Sequence, residues 1–246
     1  MKVGHRFIKQ KVANNYFRFK QFTVFHDRCA MKVGTDGVLL GAWASADHCK
    51  RILDVGTGSG LIALQLAQRC SAAHITAVEI DAQAAAQATE NTNASPWSER
   101  LEVLHTDFLQ YQPEETFDLI VSNPPYFQDA LKCPDAQRNT ARHTDTLSFE
   151  AFFRQSVKML SADGRIALII PTEAEESLLN AATLSSLFPH RRLAVFTKPG
   201  KPCRRLLIEF GLREQTCRQE ELCIEHEHHH YTPEYISLTK DFYLAL

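Results

Sequence analysis

The sequence predicts an α/β protein with a doubly wound, mainly parallel sheet of seven strands and an N-terminal extension. Three observations carry this. Short buried-strand runs alternate with helical patterns from Arg51 to Phe210. The first run passes straight into Gly56-Thr57-Gly58-Ser59-Gly60 and a helix. Four successive runs end in polar groups, at Asp54 with its glycine loop, Glu79, Asp107 and Asn123. Doubly wound sheets take ligands at the carboxyl ends of their strands.

Composition sets the frame. The chain has 246 residues, 44% hydrophobic and 23% charged, as in an ordinary globular protein. It has no apolar tract long enough to span a bilayer and no signal-peptide core at MKVGHRFIKQK, so a cytoplasmic protein that acts without a membrane is expected. Its seven cysteines lack a C-x-x-C pair, which argues against a disulfide framework or a zinc finger. A monomer is favoured.

Residues 1–45 read as a basic, aromatic segment packed on the core, and residues 46–246 as one continuous domain. Eight Lys/Arg stand against Asp27 alone between Met1 and Lys32, which suggests a polyanionic partner. Arg6, Lys9, Lys11, Arg18 and Lys20 are the candidate contacts. The aromatic run Tyr16 to Phe25 alternates like a strand or hairpin, with Arg18 and Lys20 on its outer face. In MKVGTDGVLLGAWA, Asp36 can cap a short helix running to Ala44.

Strands are then expected at Arg51–Val55, Ile75–Ile80 and Leu101–Thr106, with helices at Leu61–Arg69 and Ala82–Asn93. The fourth strand, in FDLIVSNPPY, stops abruptly because neither proline can donate to a ladder. The polar stretch 127–147 is too long for a routine connection and reads as a functional loop. A helix at Phe149–Leu160, a strand to Pro171 and a helix at Glu173–Phe188 follow. Strands near Leu193–Thr197 and Leu206–Phe210 come next, and Leu222–Glu225 and Tyr235–Leu244 complete the edge.

The strand ends point to a nucleotide-like ligand. Glu79 is placed to accept both ribose hydroxyls, and Asp107 to read an adenine amino group with Phe108 packing on the ring. The G-x-G-x-G spacing and the third carboxylate argue against a dinucleotide, which uses G-x-G-x-x-G. At the stiff Asn-Pro-Pro-Tyr tip, Asn123 Oδ1 and the Pro124 carbonyl can each accept one N–H of a flat amine, while Tyr126 stacks on its ring.

These motifs, D-x-G-x-G-x-G with two acidic strand ends and N-P-P-Y, resemble those of class I S-adenosylmethionine-dependent N-methyltransferases, which are Rossmann-like. The resemblance implies S-adenosyl-L-methionine as cofactor. It assigns Gly56, Gly58 and Gly60 to the methionine end, Asp54 to the charged amino group, Glu79 to the ribose and Asp107 to the adenine. Asn123, Pro124 and Tyr126 are left for the target amine. KVGTDGVLLGAWA, NPPYF, Ala141-Arg142-His143 and YTPEYISLTKDFYLAL are similar to segments of the bacterial family that N6-methylates the adenine beside the anticodon of a valine tRNA. That likeness implies tRNA as partner, with Arg142 and His143 as further RNA contacts.

Other acceptors stay open at this level: a guanine or adenine amine of ribosomal RNA, or a protein glutamine amide. So does a nucleotide-binding module without methyl chemistry, although it leaves the Asn-Pro-Pro-Tyr tip unexplained. The histidines at 226 and 228–230 match no ordered ligand set, so an exposed turn and no metal are expected.

Overall fold

The computed structural model describes residues 14–124, 147–227 and 230–245. The described residues open with a small antiparallel hairpin, β1 (Tyr16–Arg18) and β2 (Thr23–Phe25), followed by helix α1 (Thr35–Trp43). Phe19 and Phe22 at the turn are buried, with ring centroids 4.7 Å apart, and belong to the main core. Burying a phenylalanine contributes about 1.5–3 kcal/mol, so the hairpin is anchored by its rings while Arg18 stays exposed.

The alternating segments are β3 (Arg51–Val55), α2 (Leu61–Arg69), β4 (His74–Glu79), α3 (Ala82–Asn93), β5 (Leu101–His105) and β6 (Phe117–Ser122). Then come α4 (Phe149–Met159), β7 (Leu160–Pro171), α5 (Glu175–Leu184), β8 (Phe188–Phe196), β9 (Arg205–Gly211) and β10 (Arg218–Cys223). A two-stranded ribbon, β11 (Glu225–Glu227) and β12 (His230–Tyr231), leads into α6 (Pro233–Thr239).

The main sheet has eight strands in the order β10-β8-β9-β7-β6-β3-β4-β5. Only β9 runs against the rest. Successive residues of each central strand face opposite cores: Ile52 and Leu119 point to the layer holding α1 and α2, Leu53 and Ile120 to the layer holding α4 and α5. No helix among the described residues is long and apolar enough to cross a membrane.

Four expectations need correction. The sheet has eight strands, because β10 adds in parallel to β8. This edge strand reads as polar, with only Leu222 fully buried, so it lacks the hydrophobic run that marks the others. Tyr235–Leu244 does not complete the sheet edge: Thr232 caps α6 by accepting from Tyr235 N at 3.2 Å, with Pro233 in the first turn. The helix expected at 173–188 is shorter, since β8 already begins at Phe188. Asp36 does not cap α1 either. Gly34 is the N-cap without a side-chain bond, and Asp36 instead pairs with Arg205 Nε at 2.7 Å.

A second basic group, Arg191, Arg192, Lys198, Lys201, Arg204 and Arg205, is largely consumed within the fold. Arg191 bridges Glu209 and Glu220 and lies over the Trp43 ring, while Arg192 pairs with Glu175 and Lys198 with Glu225. Two of these acids lie in the acidic segment 214–234, so the two charge runs partly neutralise each other.

Candidate active site

The parallel strands bring their carboxyl ends to one sheet edge. There β3 delivers Asp54 and the glycine loop, β4 Glu79, β5 the turn at Asp107, and β6 Asn123. Ser122 Oγ donates to the Val55 carbonyl at 2.7 Å, tying the tip strand to the glycine-loop strand.

Gly56, Gly58 and Gly60 have φ of +69°, +56° and +83°. A Cβ at Gly56 or Gly58 would meet nothing within 4 Å, so the loop faces open space that a ligand can enter. Backbone bonds from Gly56 N and Thr57 N to the Val78 carbonyl, at 2.9 and 3.2 Å, hold it against β4. Asp54 is fully buried beneath it. Its Oδ2 accepts from Thr57 Oγ1 at 2.6 Å and from Ala63 N at 3.2 Å. Oδ1 has no hydrogen-bond partner among the described residues. Burial pushes the Asp54 carboxyl up to about 7, against the pull of those two bonds. An orphaned carboxylate oxygen under an open glycine loop fits a cationic group.

Glu79 is oriented by three backbone N–H groups, which leaves acceptor capacity on Oε2. Oε2 accepts from Gly58 N at 2.8 Å, and Oε1 from Ile80 N and Asp81 N at 2.9 and 3.0 Å. Asp107 Oδ1 accepts from Leu109 N at 2.9 Å, fixing the turn after β5. Phe108 differs from expectation. Its ring is 5% exposed and lies 5.4 Å from Phe152 in the core, so that its side chain is spent on packing.

Asn123 and Pro124 are half-buried at the end of β6. A Cβ on Gly37, in the first turn of α1, would lie 4.0 Å from Asn123 Nδ2 and 2.9 Å from Leu61 Cδ2. Helix α1 therefore lies beside Asn123, and glycine at 37 is what permits its close approach to Leu61 of α2. Tyr126, Arg142 and His143 lie outside the described residues, as do Arg6, Lys9 and Lys11. Arg18 is exposed, whereas Lys20 Nζ is held by the Lys240 carbonyl at 2.6 Å.

Sequence reasoning missed two residues of α3. Asn91 accepts from Phe25 N at 3.0 Å and donates to the carbonyls of Phe25 and Ser59, both at 2.8 Å, riveting the hairpin to the glycine loop. Gln87 holds the next stretch through Arg28 N, Cys29 Sγ and Asp27. Cys29 consequently sits near Glu79, and burial, helped by that charge, raises its thiol to about 11. In an alanine-rich helix both residues look like surface positions, and only the docked segment reveals them. No cluster of potential metal ligands occurs among the described residues.

Comparison with known proteins places this geometry. The Methyltransferase small domain family matches residues 29–194. A tRNA1(Val) (adenine(37)-N6)-methyltransferase of Bacteroides fragilis is 53% identical, covering 94% of this chain and 98% of the relative. One from Mannheimia succiniciproducens is 46% identical over 97% and 98%. Among solved structures, a "predicted O-methyltransferase" from Agrobacterium tumefaciens matches with a TM-score of 0.67 at 22% identity, covering 84% of this chain and 96% of that one. A ribosomal protein L11 methylase from Lactobacillus delbrueckii matches at 0.52 and 18%, over 72% and 77%. The two structures share the fold alone. With the strand-end carboxylates, the glycine loop and the family match in agreement, the chain belongs to the Methyltransferase small domain family and, within it, to the tRNA1(Val) (adenine(37)-N6)-methyltransferases.

Proposed function

We propose that the protein transfers a methyl group from S-adenosyl-L-methionine to the exocyclic N6 of an adenine in tRNA, the adenine beside the anticodon of tRNA1(Val). The observation that carries the reading is the joint presence, on one sheet edge, of the glycine loop over Asp54 and the Asn123-Pro124 tip. The near full-length relatives' names supply the acceptor.

S-adenosyl-L-methionine, when bound, supplies an electrophilic methyl on a sulfonium. Asp54 would take the cofactor's ammonium at its orphaned Oδ1, Gly56, Gly58 and Gly60 would border the methionine end, Glu79 the ribose, and the Asp107-Phe108 turn the adenine. Among the protein's own tasks, Asn123 Oδ1 and the Pro124 carbonyl accept hydrogen bonds from the two N–H groups of the target amine. That draws its lone pair out of conjugation with the ring. Fixed acceptors also stabilise the positive charge that develops on nitrogen, and the acidified N–H proton then passes to solvent without a separate general base. Tyr126 would stack on the adenine after the base leaves its own stack, and that contact, about 1–3 kcal/mol, would offset much of the cost of unstacking.

In this reading residues 1–45 form the RNA-facing segment on a methyltransferase domain at 46–246, and the protein works as a cytoplasmic monomer. Arg6, Lys9, Lys11, Arg18, Arg142 and His143 would meet phosphates. Lys20 would do so through the two donors that its bond to the Lys240 carbonyl leaves free. Incubation with labelled methyl donor and total tRNA, then nucleoside analysis, tests the reading. Label should appear in N6-methyladenosine from a valine tRNA. Label in guanosine or in a protein glutamine would reject it.

A further inference from the structure

A cleft of about 500 Å³ lies between the N-terminal hairpin and the C-terminal segment, lined among others by Phe17, Thr35, Lys198, Tyr231, Tyr235 and Tyr243. Tyr231 and Tyr235 have ring centroids 5.0 Å apart, and Tyr243 lies 5.9 Å from Phe17. Tyr235 Oη donates to Tyr243 Oη at 3.5 Å, which joins the two rings behind Tyr231.

The position of this cleft matters more than its size. Thr197 and Lys198 follow β8, and Ile224 and Glu225 follow β10, both of which run with β6. The cleft therefore opens on the same sheet edge as Asn123, three strand intervals away, or about 14 Å at the usual interstrand spacing. The first turn of α1 spans the gap. Thr35 lines the cleft, Asp36 pairs with Arg205 at the start of β9, and Gly37 abuts Asn123.

Charge favours a polyanion here. The loop bordering the cleft carries Lys198, Lys201 and Arg204 without an intervening acid, and Lys201 and Arg204 are exposed. The Glu225 carboxylate at the rim is offset by Lys198 at 3.1 Å. Aromatic rings beside cations hold any nucleobase by its π face, independent of its edge.

We propose that this cleft is a second nucleotide subsite, which stacks the base of an unpaired nucleotide flanking the target on Tyr231 while the 198–204 loop faces its phosphate. The proposal rests on the RNA reading above. It assigns the recognition of loop context to the β8/β10 end of the sheet, away from the chemistry.

The test uses the full chain and an RNA hairpin with the anticodon stem-loop sequence of tRNA1(Val). A companion set carries one abasic nucleotide at each loop position other than the target. Tyr231→Leu keeps apolar volume but removes the aromatic face. It should raise KM for the intact hairpin about 5- to 100-fold, with kcat and S-adenosylhomocysteine affinity unchanged, and Tyr231→Phe should behave as wild type. For one flanking abasic position, wild-type KM should rise by a similar factor and the difference between wild type and Tyr231→Leu should vanish. An unchanged KM in Tyr231→Leu, or a difference that persists with every abasic hairpin, overturns the proposal. Should the variant fail to fold, insensitivity of the wild type to every flanking abasic position does the same. A wild type that methylates no RNA defeats the tRNA reading itself, a result distinct from normal turnover of an RNA that ignores Tyr231.

Discussion

Gly58 N donates to Glu79 Oε2 at 2.8 Å, so the carboxylate at the end of β4 clamps the glycine loop that follows β3. Because Ile80 N and Asp81 N bind the other oxygen, an amide in either orientation would set an NH2 against a backbone N–H. Glu79→Gln should cost about 1–3 kcal/mol of stability and weaken cofactor binding. S-adenosylhomocysteine should raise the Tm of wild type, whereas NAD should not. If Glu79→Ala is stabilised by S-adenosylhomocysteine as strongly as wild type, the ribose role of Glu79 is wrong.

Asp54 predicts a pH dependence with a definite sign. Its carboxyl rises from 3.8 to about 7 in the fold, so its contribution to stability is fully present below about pH 4. It declines as pH rises and is lost once pH passes about 7. A cationic ligand group favours the ionised form, so cofactor affinity should climb toward pH 7 and then level off. Binding at pH 6 should release a proton, seen by calorimetry in buffers of different ionisation heat. Asp54→Asn should flatten both profiles, and an unflattened affinity profile would assign the ammonium elsewhere.

At the tip, Asn123→Ala should reduce methyl transfer by about 100-fold or more while retaining S-adenosylhomocysteine affinity, because its acceptor serves the amine. Gly37→Ala tests the helix beside it. The new Cβ would press on Leu61 Cδ2 at 2.9 Å and reach Asn123 Nδ2 at 4.0 Å. A lower kcat with nearly normal cofactor affinity is expected. Wild-type kcat in Gly37→Ala would mean that α1 leaves Asn123 undisturbed.

Arg18 and Lys20 should separate in function despite their proximity. Exposed Arg18 makes RNA contacts in this reading, so Arg18→Glu should lower tRNA affinity and the salt slope without shifting Tm. Lys20→Met loses the bond to the Lys240 carbonyl and should lower Tm as well as tRNA affinity. Matching effects from both would show that Lys20 serves the RNA alone.

The segments legible to the residue were β3, α2 and α3, and the reason is local. A buried run meets a glycine loop at Val55, and Asp81 caps α3 by accepting from Ala84 N at 2.8 Å. The start of β8 was hidden because Arg191 and Arg192 read as surface charge. Their partners Glu209, Glu220 and Glu175 lie too far along the chain for any window to pair them. For α6 the Thr-Pro start signal was present at Thr232 and Pro233 but was outweighed by the aromatic and β-branched residues after it. The strand-end residues of the candidate site were readable because each follows a buried run. Asn91 and Gln87 were not, since their partners arrive from a segment about sixty residues earlier.

Lys20 reaches across to the far end of the chain, its Nζ on the Lys240 carbonyl and its N–H on the Phe242 carbonyl at 2.8 Å. During synthesis the hairpin emerges 220 residues before the Lys240 carbonyl that holds Lys20. Its docking must await residues 240–242, so the sheet and the glycine loop can assemble on the ribosome before that clasp exists. Until then the aromatic turn has an incomplete seat, and the nascent chain presents Phe17 and Phe19 without the Tyr243 ring that packs on both in the finished protein.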